Sequence, residues 1–335
     1  MADVARESGV SVTTVSLVLR NKPGINQETR QRVISKARGM GYRLKEASPF
    51  LTNGHLKNIG LIIKSQPGFD PASNPFYSYV ISSIEFYCRQ RQINLLLAAM
   101  PVDQDNYPVE IPHLVQNEAL DGYLLIGAFV DETLNQVLGK FSTPVVLVDG
   151  YATSRQYDAV VSDNYNGAYE AVDFLAQKGH RHIALVGSHA NAYPSFAERR
   201  RGYQQALHDH GLKETYADAT IGTNEGIEAT QNLIRSQPEI SAIFGINDEM
   251  AIAAMRGVSI LGRQIPQEIS VIGFDDIPLA EHMLPPLTTM QVDKLGMGQL
   301  AMILLSHRID EPKACNVTAM LRPKLVERES VANYR

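Results

Sequence analysis

Residues 3–22 read DVARESGVSVTTVSLVLRNK, a compact, mostly polar run with small residues at fixed places, in a chain whose net charge is -5. Val4 and Ala5 have helix-compatible neighbours, and Gly9 stands where a helix ends through a left-handed residue. Ser11 offers an N-cap for a second helix, VTTVSLVLR, in which Val15, Val18 and Leu19 recur at helical spacing and face inward. Val12, Thr13, Ser16 and Leu17 are thereby left outward. Two short helices joined by a tight glycine turn make a helix-turn-helix. A third helix is expected from Asn26 through QETRQRVISKARGMG, with Val33, Ile34 and Ala37 inward and its end loosened by Gly39 and Gly41. Its Arg30, Arg32, Lys36 and Arg38 suit phosphate contacts, which position a protein on DNA without reading sequence.

Charge follows the same division. Residues 1–58 hold ten Lys and Arg against four Asp and Glu, a balance of +6, and the remainder holds 21 against 32, a balance of -11. A basic head on an acidic body suits a protein with one end on a polyanion and the other kept soluble. The length of 335 residues suggests two or three domains, and the 44% hydrophobic content is ample for their cores. Cys88 and Cys315 lack the paired spacing of a disulfide framework or a zinc site. With no charged-then-apolar leader and no run near the roughly 18 apolar residues needed to span a bilayer, a reduced, cytoplasmic protein without a membrane partner is expected.

From Asn58 the period changes. IGLIIK, NLLLAAM, GYLLIG, PVVLVD, HIALVG, AIFGIN and SVIGFDD are short apolar runs separated by stretches of helical spacing such as YSYVISSIEFYCRQRQ. That alternation predicts α/β architecture with buried parallel sheets, which bind ligands at the carboxyl ends of their strands. The strands are too many for one sheet, and a break near VVSDNYNGA predicts two doubly wound lobes with a cleft between them.

The opening run, followed by TRQRVISKARGMGY, resembles the DNA-binding domain of the LacI/GalR family of bacterial transcription regulators. The resemblance continues through NPFY, VVLVDG, DNYNGAYEAVDFLAQKGHRHIALVGS, ERRRGYQQAL, IFGINDEMAIAAM and IPQEISVIGFDDIPLAEHMLPPLTTM. It implies an all-α helix-turn-helix head at 1–45, a hinge at 46–57 and a periplasmic-binding-protein-like body at 58–335. The first lobe is expected at about 58–160 and 290–320, the second at about 161–289 and 321–335. By the same resemblance Val12, Thr13 and Leu17 vary with operator sequence, and Ser11, Ser16, Thr29 and Tyr42 anchor to the DNA backbone. Leu51 takes the place of the hinge leucine that wedges into the minor groove. Leu17 departs from the arginine of many relatives, so an operator read through thymine methyls is expected. Relatives carry several more residues before the DVA stretch; a short first helix or an upstream start, with DNA affinity below the family norm, is therefore expected.

In the body, Asp149, Asn247, Asp248, Asp275 and Asp276 end strands or open helices where they would face the cleft. Arg199, three residues before Gly202, holds the position of the family's effector-binding arginine. Arg199 and Asp275 are expected to hold effector hydroxyl or carboxylate groups, with Asp149 and Asn247 adding polar contacts and Phe76, Tyr77 and Tyr193 as apolar walls. Asp248 and Asp276 are expected to cap, and Ile221 stands where sugar-binding relatives stack an aromatic. His180 and His182 lack a carboxylate or thiol partner at ligand spacing, and no nucleophile elbow, P-loop or dinucleotide fingerprint follows a strand, so neither cofactor, metal nor catalysis is expected. The chain ends at LVERESVANYR without the apolar heptads of tetrameric relatives. The function expected is a repressor acting as a homodimer on palindromic double-stranded operator DNA under control of a small-molecule effector, a carbohydrate. The alternatives are a sugar-binding protein of the same body fold without specific DNA binding, and a sugar- or nucleotide-processing enzyme.

Overall fold

The computed structural model describes residues 2–19, 25–39, 56–65, 74–103, 107–116, 120–139, 143–153, 157–187, 193–217, 219 and 223–334. The chain divides into two compact units, Met1–Leu51 and Thr52–Arg335.

The first unit holds α1 (Ala2–Ser8), α2 (Val12–Leu19) and α3 (Gln27–Gly39). α1 ends at Gly9, with φ +65°. There the Gly9 N–H donates to the Arg6 carbonyl at 3.3 Å and the Val10 N–H to the Ala5 carbonyl at 3.1 Å. This Schellman pattern wants glycine, because a Cβ strains the left-handed region. Ser11 Oγ then accepts from the Thr14 N–H at 3.0 Å, capping α2, and Asn26 Oδ1 accepts from the Thr29 N–H at 2.8 Å, capping α3. Val4, Ala5, Val15, Val18, Val33 and Ala37 form the core, with Val10, Ile25 and Ile34 against it. The fully buried valines contribute about 1.5–3 kcal/mol each. The side chains of Leu19 and Arg38 lie outside the described residues.

The second unit begins with β1 (Asn58–Ser65), α4 (Tyr77–Arg91), β2 (Asn94–Pro101), β3 (Gly122–Ile126), β4 (Phe129–Val130) and α5 (Glu132–Leu138). β5 (Val145–Val148), β6 (Tyr151–Ala152) and β7 (Asp158–Ser162) follow. Next come α6 (Asn164–Gln177), β8 (Ile183–Val186), α7 (Pro194–Asp209), β9 (Tyr216–Ala217), α8 (Thr223–Ser236) and β10 (Ala242–Gly245). α9 (Asp248–Ile260), β11 (Ser270–Asp275), α10 (Pro278–Glu281), β12 (Thr288–Gln291), α11 (Lys294–Asp310), β13 (Thr318–Leu321) and β14 (Lys324–Val326) complete the described α-helices and strands, beside a short 3-10 helix at His113–Gln116.

Two six-stranded sheets result, in the orders β13-β7-β5-β3-β1-β2 and β14-β12-β11-β10-β8-β9. Pairing is parallel except between β12 and β14. β3, β5, β10 and β11 are buried at every residue, as parallel strands covered on both faces must be. The strand order switches direction between β1 and β3 in one sheet and between β8 and β10 in the other, the topological points at which doubly wound sheets open a crevice. β7 lies wholly in the first sheet and β12 wholly in the second, so the chain passes from the first sheet to the second after Ser162 and back after Gln291. The third crossing lies between Leu321 and Lys324.

His180, 2% exposed, is a core histidine: Nδ1 is 3.0 Å from Ser241 Oγ and Nε2 3.2 Å from the Ala332 carbonyl, beside the Tyr334 ring. It pins the C-terminal segment to the second lobe. Among the described residues no helix is long and apolar enough to cross a membrane.

Candidate functional site

On the head, Val12 and Thr13 are exposed and Ser16 and Leu17 half-buried, one outer face of α2 opposite the buried Val15 and Val18. Ser11 is committed to the cap of that helix, its hydroxyl also 2.8 Å from Thr14 Oγ1. Thr29 is half-buried on the first turn of α3. Tyr42, Leu51 and the hinge up to His55 lie outside the described residues, as does Ile221.

The body brings its expected residues together. Phe76, Tyr77, Asp149, Tyr193, Arg199, Asn247 and Asp275 are all at most 9% exposed. The two carboxylates hold equivalent places: Asp149 follows β5 with φ +48°, and Asp275 ends β11 with φ +113°. Backbone strain of this kind collects at ligand sites, where the fold turns a side chain away from its strand.

Around Asp275 the site is ionic. Arg199 Nη2 donates to Asp275 Oδ1, Nε to Asn164 Oδ1 and Nη1 to the Ile246 carbonyl, each at 2.8 Å. The guanidinium stacks 3.8 Å from the Phe274 ring centroid. Burial pushes the Asp275 carboxyl above its ordinary range, opposed by Arg199 and Lys294. Around Asp149 the partners are phenolic. Tyr77 OH donates to Asp149 Oδ2 at 3.0 Å, and Tyr193 OH lies 3.1 Å from the carbonyls of both Ala128 and Asp149. Gly127, φ +63°, keeps room for this, since a Cβ there would overlap the Tyr77 hydroxyl. Burial raises the Asp149 pKa to about 6 against the pull of Lys64, Arg199 and Tyr77. Burial lowers Lys64 to about 8.

Three expectations change in detail. Tyr77 and Tyr193 are more than apolar walls, since each places its hydroxyl in the polar network, whereas Phe76 stacks edge-on to Tyr77 at 5.3 Å. Asn247, not Asp248, caps α9, through Met250 N–H at 3.0 Å. Asp248 instead accepts from the Ile277 N–H at 2.8 Å and from the Thr289 hydroxyl, and burial raises its pKa to about 8. Asp276 does not cap either: its carboxylate is held by the Arg328 guanidinium at 2.7 Å and the Gln291 amide at 2.8 Å.

Sequence reasoning missed Lys64, Tyr151, Asn164, Glu198 and Lys294. Lys64 was legible as the polar residue ending IGLIIK, by the strand-end rule that found Asp149 and Asp275. Tyr151 OH, reaching Asn164 Nδ2 at 3.2 Å and Glu198 Oε2 at 3.4 Å, crosses from first lobe to second, and no local pattern announces such a pair. Lys294 opens α11 and donates to the carbonyls of Asp275 and Asp276 from the middle crossing.

Residues 1–43 match the model of bacterial regulatory proteins of the lacI family, and residues 172–331 that of the periplasmic binding protein-like domain. The ribose operon repressor of Haemophilus influenzae is 30% identical over 343 residues, spanning 100% of this chain and 99% of its own, and catabolite control protein A of Priestia megaterium is 29% identical over 98% of both. Among solved structures, a cellobiose complex of the transcriptional regulator CelR superposes with TM-score 0.71 at 27% identity, covering 98% of both chains. A LacI-family regulator from Enterococcus faecium with bound ribose gives 0.72 at 26%, covering 83% of this chain and 100% of its own. The head match sets aside the reading of a sugar-binding protein without specific DNA binding. Its relatives are transcriptional regulators rather than enzymes. With a helix-turn-helix head and a two-lobed body that gathers buried polar groups where its strands end, this chain belongs to the lacI family of bacterial regulatory proteins and is a ligand-responsive transcriptional regulator.

Proposed function

We propose that the protein is a cytoplasmic repressor that binds a pseudo-palindromic operator as a homodimer and changes its grip when a small carbohydrate enters between the lobes of its body. The observation that carries this reading is the convergence of Tyr77, Asp149, Tyr193, Arg199 and Asp275, drawn from both lobes, on one buried seam of donors and acceptors. Arg199 pairs with Asp275 and Tyr77 with Asp149. Groups matched in this way exchange partners with neutral hydroxyls without stranding a charge, and similar regulators whose solved structures hold ribose and cellobiose point to the same class of ligand. In this reading Arg199 and Asp275 hold effector hydroxyls, Asp149 and Asn247 add contacts, and Phe76, Tyr77 and Tyr193 line the ring faces. The chain binds its effector and performs no catalysis on it.

On the head, Val12, Thr13 and Leu17 read base edges, and Ser11, Ser16, Thr29 and Tyr42 fix the register on the DNA backbone while Leu51 enters the minor groove. Dimerisation is supported by exposed apolar side chains on both lobes. Tyr79 and Phe86 lie two turns apart on α4 and Leu97 on the edge strand β2, with Leu279 and the 92% exposed Leu284 on the second lobe.

The test is fluorescence anisotropy of the full-length protein on DNA from its own gene neighbourhood, at two salt concentrations, with ribose, cellobiose and a wider sugar panel. Nanomolar binding to one fragment, altered by one sugar, is expected. Weak binding to every fragment, steeply salt-dependent and indifferent to every sugar, would reject the reading.

A further inference from the structure

Tyr193 belongs to the second lobe, as the residue immediately before α7. The groups that hold its side chain belong to the first. Its hydroxyl lies 3.1 Å from the carbonyls of Ala128 and Asp149, just beyond β3 and β5. The Tyr151 ring meets it edge-on at 5.6 Å, and Lys64 Nζ, from the end of β1, sits 4.0 Å from its ring centroid. The residue is 7% exposed.

Each contact has a physical consequence. A phenol has one proton to give, shared here between two carbonyls, so the depth of the side chain is fixed by the oxygens that receive it. Burial pushes the phenol pKa well above its ordinary value, which keeps that proton in place at any physiological pH. A cation over the ring face attracts more strongly once desolvated, and Lys64 is half-buried, with desolvation lowering its pKa to about 8. Pro194 at the start of α7 fixes the backbone beside Tyr193, so the side chain is aimed from a rigid post.

We infer that Tyr193 is the interlobe clasp of this protein: a second-lobe phenol seated in a first-lobe socket, whose engagement holds the lobes closed and sets the closure equilibrium on which the effector acts. The inference rests on the regulator reading only for its consequence at DNA. Closure itself can be read with neither DNA nor sugar present. A side chain serving solely as an effector wall would alter sugar affinity and leave that sugar-free equilibrium alone.

The experiment uses full-length protein carrying Cys315→Ser and dyes on Glu132→Cys in α5 and Glu228→Cys in α8, both exposed positions, diluted into unlabelled chain so that energy transfer reports one subunit. Tyr193→Phe keeps the ring and its packing and removes only the hydroxyl. The expected result is a closed-to-open ratio about tenfold lower in the sugar-free protein, with a smaller shift in the same direction for Lys64→Met. A Tyr193→Phe distribution that superimposes on the parent's overturns the inference, including the case in which ribose or cellobiose affinity falls while the sugar-free distribution stays put. A shifted distribution in a protein whose operator binding no sugar alters supports the clasp and rejects the regulator reading.

Discussion

Replacing Arg199 by methionine separates the electrostatic role of the buried seam from its packing. Methionine keeps a flexible side chain against Phe274 and removes three donors at once, stranding the Asn164 and Ile246 oxygens and the Asp275 carboxylate. Both partners are nearly inaccessible, with side chains 4% and 10% exposed. Breaking one side of such a pair costs about 3–5 kcal/mol. At about 2–4 °C per kcal/mol for a body of this size, the melting temperature should fall by roughly 10 °C. The sign with pH follows from the carboxyl. Burial raises the Asp275 pKa and Arg199 opposes it, so removing Arg199 lifts the folded-state value further above the unfolded one. A carboxyl with a raised folded pKa destabilises once ionised and contributes nothing below its unfolded value near about 4. The deficit of Arg199→Met against the parent should therefore be largest at about pH 7–8 and shrink toward about pH 5. Adding Asp275→Asn should recover about 1–3 kcal/mol by removing the stranded charge. Thermal melts followed by circular dichroism across that range decide the matter. A deficit that is flat with pH and untouched by Asp275→Asn would show that Arg199 acts by packing, and the ionic account of the seam would have to be abandoned.

Three further outcomes follow from single residues. With the Asp149 carboxyl raised to about 6 from about 3.9 in the unfolded chain, the parent should lose up to about 3 kcal/mol as pH rises from about 4 to about 7, and urea melts of Asp149→Asn should lack that slope. Leu17→Arg should move the operator preference toward guanine at the contacted position by about 1–3 kcal/mol, measured on an array of half-site variants. Gly9→Ala, forced to keep φ near +65°, should destabilise the head by about 1 kcal/mol and reduce operator binding on warming, while the unfolding of the body, a separate unit, stays where it was.

What the sequence made legible and what it concealed divide along physical lines. The seven apolar runs of the body all became strands, six of them because a parallel strand covered on both faces must be apolar, while the seventh, β2, runs along a sheet edge and is mostly exposed or half-buried. β13 and β14 carry no such run, with TAML and KLV largely exposed at the sheet edges, so nothing in their composition marked them. The head was readable residue by residue, since Gly9, Ser11 and Asn26 act on neighbours within five positions. In the seam, Asp149 and Asp275 were visible because strand ends are local features. Tyr77 and Arg199 were reached through the family resemblance, and their pairing was not legible, for Tyr77 lies 72 residues from Asp149 and Arg199 lies 76 from Asp275. The cap at Asn247 was misassigned to Asp248 for a related reason: both residues can cap, and the choice was made by Ile277 and Thr289, which claim Asp248 from 29 and 41 residues away.

Those long-range contacts also bear on how an effector bound at the proposed site would move the body. Among the described residues, three side-chain polar links cross between the lobes: Tyr193 to the Ala128 and Asp149 carbonyls, Tyr151 to Glu198 and Asn164, and Lys294 to the carbonyls of Asp275 and Asp276. Each is worth about 0.5–1.5 kcal/mol net, so together they hold closure by about 3 kcal/mol, the range of measured couplings between allosteric sites. Lys294 matters most to transmission. It reaches the backbone of the strained turn whose carboxylate binds Arg199, and it is itself the first residue of α11, which packs on α4, β3, β5 and β7. An effector that displaced the Arg199–Asp275 contact, as proposed above, would pull on that turn, and through Lys294 on the first lobe, without touching it directly. Because the links are few and individually weak, gaining or losing one changes the closed-to-open ratio by up to about tenfold, which is the differential affinity an effector needs in order to be felt at the other end of the chain.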